Sequence, residues 1–355
     1  MLLDPNNLDA PWVDAMRQCE QSPEYHGEGD VWVHTQLVCS ALRGLRAYQA
    51  QPNEIQDILL TAAILHDCAK PDVFDVVDGR ITSKNHALKG TIKARRILWE
   101  AGADFRARED VCNLVKYHMR PLHLLDASDM ESYVAQISLS VRTDLLAILA
   151  EADAEGRHCL SDGGESVEKV HIFRKFCQEI GCWGASYPFA SDHARVAHFN
   201  LGQDIRSQAR PPLRPTVIVM SGLPGSGKSH YIHANCDGLP VVSLDAIRES
   251  LRVRPADNQS KVIRQAKDEA KRLLGARRDF VWNATNVSKM VRNKCLTLLR
   301  QYGARICIVY VETDHDNLWK QNKARKNAVP ETVINKLLNK WEVPDLTEAH
   351  EVIYV

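Results

Sequence analysis

Residues Val217-Ile218-Val219-Met220-Ser221-Gly222-Leu223-Pro224-Gly225-Ser226-Gly227-Lys228-Ser229 read as a short β-branched strand running into a glycine-rich turn and then a helix start. The turn satisfies GxxxxGK[ST] in the strand, loop and helix setting that gives this spacing its meaning. Gly222, Gly225 and Gly227, with Pro224 and Ser226 between them, let the backbone wrap closely enough for its N–H groups to converge on phosphate oxygens. Lys228 is then placed to neutralise β and γ oxygens, and the Ser229 hydroxyl to hold Mg²⁺. The loop predicts a nucleoside triphosphate, ATP or GTP, with Mg²⁺. It leaves open where the phosphoryl group goes.

Working outward from the loop, β-branched runs recur at 241–244 (VVSL), 280–283 (FVWN), 305–311 (RICIVYV) and 351–355 (EVIYV), separated by stretches suited to helices. That alternation predicts an α/β unit with a parallel sheet and crossover helices. On the other side of the loop, residues 207–215 (SQARPPLRP) hold three prolines, which deny backbone donors and disfavour helix. Further back the periodicity is helical: Ile55, Ile58, Leu59, Ala62 and Leu65 share one face, as do Leu145, Ile148 and Leu149. The chain of 355 residues is therefore read as two domains, an all-α one over 1–206 and an α/β one over 216–355, joined by a linker at 207–215. There is no internal repeat.

Composition removes several classes. With 45% hydrophobic and 25% charged residues the chain is ordinary for a globular protein, and no apolar run approaches the ~18 residues that span a bilayer. Its first residues, MLLDPNNLDAPW, carry acidic groups and a proline where a secretory signal needs a basic stretch and an apolar core, so a cytoplasmic location without membrane partners is expected. Ten cysteines are scattered without a CxxC pair, and Cys177 and Cys182 have no second pair to complete a zinc site, so reduced structural thiols are expected. The net charge of zero conceals a division: 22 Lys+Arg against 30 Asp+Glu through Arg210, and 23 against 15 after it, giving −8 and +8. A basic second half favours anionic partners such as nucleotides or nucleic acid.

In the second half, the run VVSL leads to Asp245, with Arg248 three residues later. Strand ends in such sheets open onto the ligand crevice. There a carboxylate can accept the proton of an attacking hydroxyl and an arginine can grip a substrate phosphate, although Asp245 serves equally well as an N-cap. Residues 319–325 read as a helix tail in which Lys320, Lys323 and Arg325, followed by Lys326, form either a basic lid over the γ-phosphate or a solvated face. Together these residues resemble the polynucleotide kinase branch of the phosphate-loop phosphotransferases, which move an NTP γ-phosphate to a 5′-hydroxyl. The resemblance covers residues 215–355. It implies Asp245 as general base, Arg248 on the 3′-flanking phosphate, and Arg325 as a lid residue, with Lys228 on the transferring group. Related kinases also show an ATN-type strand end, here Asn283-Ala284-Thr285-Asn286 with Arg292 beyond; Asn and Thr there serve either metal positioning or a simple turn.

In the first half, His34 lies early in VWVHTQLVCSALRGL, His66 and Asp67 stand together at the end of a predicted helix 54–68, and Asp153 closes a helix in LLAILAEADAEGR. Helices carrying His, His-Asp and Asp can direct these side chains into one gap as nitrogen and carboxylate ligands for a divalent ion. The neighbours His66 and Asp67 can both reach it because a helix end relaxes their 100° separation. The ordered series His34, His66-Asp67, His86, His118 and Asp153 resembles the HD phosphohydrolase superfamily over residues 25–160. That resemblance assigns His34, His66, Asp67 and Asp153 to a first divalent transition metal, His86 and His118 to a second metal or to phosphate, and Lys70 of HDCAK to a phosphate oxygen. Whether one ion or two is held stays open, and His123 is read as structural.

The two motif series in this order resemble the bacterial HD-Pnk end-healing enzymes. The resemblance implies removal of 2′,3′-cyclic, 2′- or 3′-phosphate by the first domain and phosphorylation of 5′-hydroxyl RNA or DNA ends by the second, with a nucleic-acid ligase acting downstream. Two alternatives remain at this point: a kinase of a small-molecule or protein acceptor fused to an HD nucleotide phosphohydrolase, and a non-catalytic RNA-binding or nucleotide-sensing module with a degenerate metal site.

Overall fold

A computed structural model describes residues 3, 8–22, 26–157, 164–208, 215–254, 257–325 and 327–355. The chain divides into two compact units, Met1–Pro188 and Phe189–Val355.

The first unit is helical, as expected. Its helices include Val31–Gly44, Asn53–Leu65, His86–Glu100, Phe105–Tyr117 and Thr143–Glu155, and its strands are β1 (Asp75–Val77) and β2 (Arg80–Thr82), which form an antiparallel hairpin. Thr143–Glu155 is apolar nearly all round, with residues Leu145 to Ala150 buried without interruption, so it occupies the centre of the unit. Asp30 starts Val31–Gly44 by accepting from the N–H groups of Trp32 and Val33, and Asp104 starts Phe105–Tyr117 in the same way. Helix 54–68 of the sequence reading is observed as Asn53–Leu65; His66 and Asp67 lie in the turns that follow.

One glycine sets how closely two of these helices approach. Gly156 follows Thr143–Glu155, and a Cβ there would stand 2.8 Å from the backbone N of Val38 and 2.9 Å from its Cα. Helix Val31–Gly44 therefore packs directly on the end of Thr143–Glu155, and any larger residue would hold the two apart.

In the second unit the strands β3 (Thr216–Ser221), β4 (Val241–Ser243), β5 (Phe280–Asn283), β6 (Arg305–Tyr310) and β7 (Glu351–Tyr354) form one parallel sheet in the order β4-β5-β3-β6-β7. Each β-branched run of the sequence reading is one of these strands. The central β3 ends at Ser221, so the glycine loop leaves the middle of the sheet at its carboxyl edge.

The boundary between units differs from the sequence expectation. Helix Asp192–Leu201, placed by sequence in the first domain, belongs to the second unit. Arg195 from this helix donates to the carbonyls of Leu346, Ala349 and His350, and Asn200 donates to that of Thr347. The division thus falls at Pro188 and Phe189, because hydrogen bonding to the segment before β7 outweighs the helix-breaking character of the later prolines. Of the expected linker, residues 209–214 lie outside the described residues.

Among the described residues no single helix is long and apolar enough to cross a membrane; Met130–Ser138 and Thr143–Glu155 would pass only as a pair bent by 103°. The nine described cysteines are all unpaired and buried. Burial raises most of these thiols, Cys39 and Cys68 to about 12, which keeps them unreactive.

A buried ion pair ties the second unit together. Arg292 is wholly buried, and its Nε and Nη2 meet the Glu348 carboxylate at 2.8 and 2.9 Å. Its Nη1 donates to the carbonyls of Asn286, Val287 and Glu342. Replacing Arg292 by Met strands a buried carboxylate, so the second unit should lose about 3–5 kcal/mol. Urea unfolding followed by tryptophan fluorescence measures this, and a loss below about 1 kcal/mol contradicts the role given to the pair.

Candidate functional sites

In the first unit five separate elements deliver the sequence-predicted residues to one place. Helix Val31–Gly44 presents His34, the turn after Asn53–Leu65 presents His66 and Asp67, and the start of His86–Glu100 presents His86. His118 caps the end of Phe105–Tyr117, and Asp153 lies in the last turn of Thr143–Glu155. His34 Nε2 is 3.1 Å from Asp153 Oδ1 and 3.8 Å from Asp67 Oδ2. His66 Nε2 is 3.1 Å from Asp67 Oδ2 and 3.9 Å from Asp153 Oδ1. On the other side of Asp67, its Oδ1 lies 3.4 Å from His86 Nε2 and 3.8 Å from His118 Nε2. Asp67 therefore offers one oxygen to each of two histidine pairs. All these residues are buried except His86, which is half-buried.

Every one of the four histidines turns Nε2 inward because its Nδ1 is engaged elsewhere. His66, His86 and His118 hold the backbone carbonyls of Ala63, Ser83 and Val115 at 2.7 to 2.8 Å, and His34 Nδ1 stands 2.8 Å from Glu28 Oε1. This outer tethering is how metal-binding imidazoles are oriented and their tautomer set. His66 Nε2 and Asp67 Oδ1 are buried and have no hydrogen-bond partner. Orphaned buried polar atoms are costly unless something else satisfies them. A divalent ion would do so, and the sets His34, His66, Asp67 and Asp67, His86, His118 each converge closely enough to hold one.

The electrostatics agree with that role. Burial works against ionisation of Asp67, but His66 and Lys70 hold its carboxyl well below the usual range. Burial likewise opposes Asp153, and Arg157 with His34 overcomes it. His118 is pushed down to about 3 by burial and by its neighbour His66, so it stays neutral and keeps a lone pair. For His34 burial lowers the pKa, yet the hydrogen bonds to Asp153 and Glu28 raise it overall; an entering metal would displace that proton.

Lys70 Nζ contacts Asp67 Oδ2 at 2.7 Å and Gln21 Oε1 at 2.6 Å. His123 stays apart, in an exposed pair with Asp126. Two neighbours escaped the sequence reading. Glu28 sits in a loop with no periodicity to betray it. Arg157, whose Nη2 is 2.5 Å from Asp153 Oδ2, follows Asp153 by four residues, a helical spacing that was legible.

In the second unit the start of the glycine loop is held by the segment that follows β5. Gly222 N donates to the Thr285 carbonyl, Ser221 Oγ donates to that of Asn286, and Asn286 Nδ2 donates to that of Met220. The Asn283-Ala284-Thr285-Asn286 segment thus anchors the loop, and Arg292, buried behind it, is a structural tie. Gly222 could carry no side chain, since a Cβ would fall 2.2 Å from the Val311 carbonyl oxygen.

Lys228 Nζ donates to the carbonyls of Gly222 and Leu223 at 2.8 and 2.7 Å. Burial and, to a smaller extent, the Arg325 charge lower its pKa to about 8, with Asp245 acting in the opposite direction. Those two charges are near enough to be felt, which groups Asp245 and Arg325 with the loop. Asp245 lies within the first turn of helix Leu244–Ser250, whose N-cap is Ser243, so the alternative role of Asp245 as N-cap does not hold. Its carboxylate is exposed and paired with Arg248, which also donates to Gln259. Arg325 ends helix His315–Ala324, and the amide of Asn322 clamps Val329 through both its N–H and its carbonyl, fixing the turn between. Ser229, Lys320 and Lys323 are exposed, and Lys326 lies outside the described residues.

Comparison with known proteins agrees with both halves. Residues 34–154 match the HD domain family, and residues 217–344 match the AAA domain family AAA_33. Among solved structures, the chain is similar to a sugar kinase from Janibacter, with 19% identity over 40% of this chain and 85% of that one at a TM-score of 0.32. It is similar also to Kti12 of Chaetomium thermophilum in complex with ADP-AlF3, with 18% identity over 39% and 88% at 0.31. A gluconokinase from Sinorhizobium meliloti shows 20% identity over 40% and 83% at 0.30. The chain carries a helical HD domain, which implies divalent metal, and a phosphate-loop kinase-like domain, which implies a nucleotide with Mg²⁺.

Gly156→Ala should push Thr143–Glu155 off helix Val31–Gly44, at a cost of about 1–3 kcal/mol, and separate Asp153 from His34. Its divalent-metal affinity, measured by chelator competition, should fall about 10-fold or more; unchanged affinity would show that the close approach is not needed for the site.

Proposed function

We propose that the chain heals nucleic-acid ends, removing 2′,3′-cyclic, 2′- or 3′-phosphates in its HD domain and phosphorylating 5′-hydroxyl ends in its kinase-like domain. The observation that carries this reading is Asp245 with Arg248 at the carboxyl edge of β4, within electrostatic reach of the loop lysine. That arrangement suits an acceptor hydroxyl flanked on its 3′ side by a phosphate.

In the kinase domain Asp245 accepts the proton of the 5′-hydroxyl as its oxygen forms a bond to the γ-phosphorus and the bond to the β-phosphate oxygen breaks, releasing the diphosphate. Arg248 leaves its pair with Asp245 to hold the flanking phosphate. Lys228 and Arg325 balance the charge that spreads over the transferring group. Ser229 is the residue to hold Mg²⁺.

In the HD domain His34, His66, Asp67 and Asp153, with His86 and His118 opposite, are the residues that would hold one or two divalent transition metal ions. Such an ion, when bound, makes water a nucleophile at neutral pH and polarises phosphoryl oxygens. The chain itself supplies orientation: Nδ1 tethers aim the imidazoles, and Lys70 binds a phosphate oxygen.

Labelled 5′-hydroxyl oligonucleotide offered as sole acceptor tests the kinase assignment. Transfer should be abolished by Lys228→Ala and fall by about 10²–10⁴-fold in Asp245→Ala, while phosphatase activity persists. His66→Ala should do the reverse. No transfer to the oligonucleotide from wild type, with transfer to a small hydroxyl compound, would establish the small-molecule alternative.

The acidic first half repels a long polyanion, so its phosphatase should engage mainly the terminal nucleotide. Its kcat/KM should change less than about threefold between a dinucleotide and a 20-nucleotide substrate; a steep rise with length contradicts this.

A further inference from the structure

We propose that Arg157 is a substrate-binding residue of the HD centre, the second prong of a phosphate clamp whose first prong is Lys70, and that it favours dianionic terminal phosphomonoesters over monoanionic cyclic diesters. This rests on the hydrolase reading above and adds a specificity determinant to it.

The geometry is that of a guanidinium held by one edge. Arg157 follows the close-packed Gly156, and its side chain folds back along the helix it has just left. Nη2 meets Asp153 Oδ2 at 2.5 Å, Nε meets Oδ1 at 3.3 Å, and Nη2 also approaches Met119 Sδ at 3.6 Å. Among the described residues Nη1 has no hydrogen-bond partner. A guanidinium anchored in this way keeps its remaining edge in a set direction and suits a phosphate oxygen better than a mobile ammonium does.

Lys70 repeats the arrangement on Asp67, at 2.7 Å from Oδ2. Each buried carboxylate of the centre thus has one cation on its outer side. These cations retain 11% and 14% of their side-chain exposure, against 0–3% for His34, His66, His118, Asp67 and Asp153. Of the four inward-facing histidines only His86, at 16%, is as open as these cations, so an anion approaching the centre meets Lys70, Arg157 and His86 before the buried histidines.

Charge counting explains why they are available. Glu28, Asp67 and Asp153 oppose Lys70 and Arg157, three carboxylates to two cations. Without a metal the cations are fully occupied in offsetting buried negative charge. With His34 neutral, as a bound metal would leave it, a divalent ion held by the same carboxylates would bring the sum of these groups to +1, so positive charge would then be in surplus and could be directed at substrate. A terminal phosphomonoester carries roughly −1.5 to −2 at neutral pH, whereas a cyclic diester carries about one charge. A second cation therefore adds more to the first than to the second.

The test uses the full chain loaded with its divalent metal and compares Arg157→Met and Arg157→Lys with wild type. Oligonucleotides ending in 3′-phosphate and in 2′,3′-cyclic phosphate serve as substrates, and calorimetric binding of inorganic phosphate gives a second readout independent of turnover. Expected is a loss in kcat/KM about 10-fold greater for the monoester than for the cyclic diester in Arg157→Met, with phosphate binding weakened by about the same factor and metal content unchanged. Arg157→Lys should recover part of the discrimination. If Arg157→Met does not fold, the proposal stands on whether Arg157→Lys narrows the preference of wild type for the monoester. Equal losses on both substrates accompanied by lost metal would overturn it, showing that Arg157 only supports Asp153. Wild type that hydrolyses neither ester and binds no phosphate defeats the hydrolase reading itself, an outcome distinct from wild type that hydrolyses both and variants that do not discriminate.

Discussion

Two carboxylates, Asp67 and Asp153, are buried in the core of the first unit at 2% and 1% exposure. A charge in that position costs several kcal/mol unless it is paired and hydrogen-bonded. The composition of the surrounding shell follows from that constraint. Four imidazoles point Nε2 at the carboxylates, Lys70 and Arg157 stand on their outer sides, and Glu28 holds the far nitrogen of His34. A divalent ion would complete the same set, because His66 Nε2 and Asp67 Oδ1 are otherwise buried and unsatisfied. Fold and chemistry therefore depend on the same charges: the helices can pack only if the carboxylates are compensated, and the compensating groups are those that a phosphate ester needs.

The second unit meets its constraint in a different way. A glycine loop wide enough to cradle phosphates has little side-chain packing of its own, so its position must be imposed from outside. Backbone bonds to Thr285 and Asn286 impose it on one side, and Arg292 holds Asn286 from beneath while gripping Glu348. The route from the buried ion pair to the loop is thus a short series of hydrogen bonds. On the other side, helix His315–Ala324 lies against the loop, with Leu318 O 3.4 Å from where a Cβ of Gly225 would stand. Arg325 is the residue that ends that helix.

Much of this was legible in the sequence, though unevenly. The strands could be read because β-branched runs bounded by turns are a local signal, and all five form the sheet. The histidine and aspartate series could be read because its order along the chain is distinctive, and its members do converge. Arg292 was different: the sequence placed it beyond the ATN segment without giving it a role, and only its complete burial shows it to be a tie. The domain boundary was misplaced because three prolines are a strong local signal, whereas the bonds from Arg195 and Asn200 that attach Asp192–Leu201 to the second unit span about 150 residues.

Periodicity and motif spacing by themselves determined the helical first half, the parallel sheet and the phosphate loop, while His86, His118, Lys70 and Arg325 were named through the family resemblance of the ordered motifs. The former are properties of neighbouring residues and of backbone geometry. Tertiary structure alone decided that Asp67 turns one oxygen to each histidine pair, that Glu28 and Arg157 complete the shell, and that Gly156 sets the distance between two of its helices. Those facts are separations of a few ångströms between groups far apart in the chain. They come into being only when the helices pack, and no one-dimensional pattern specifies them.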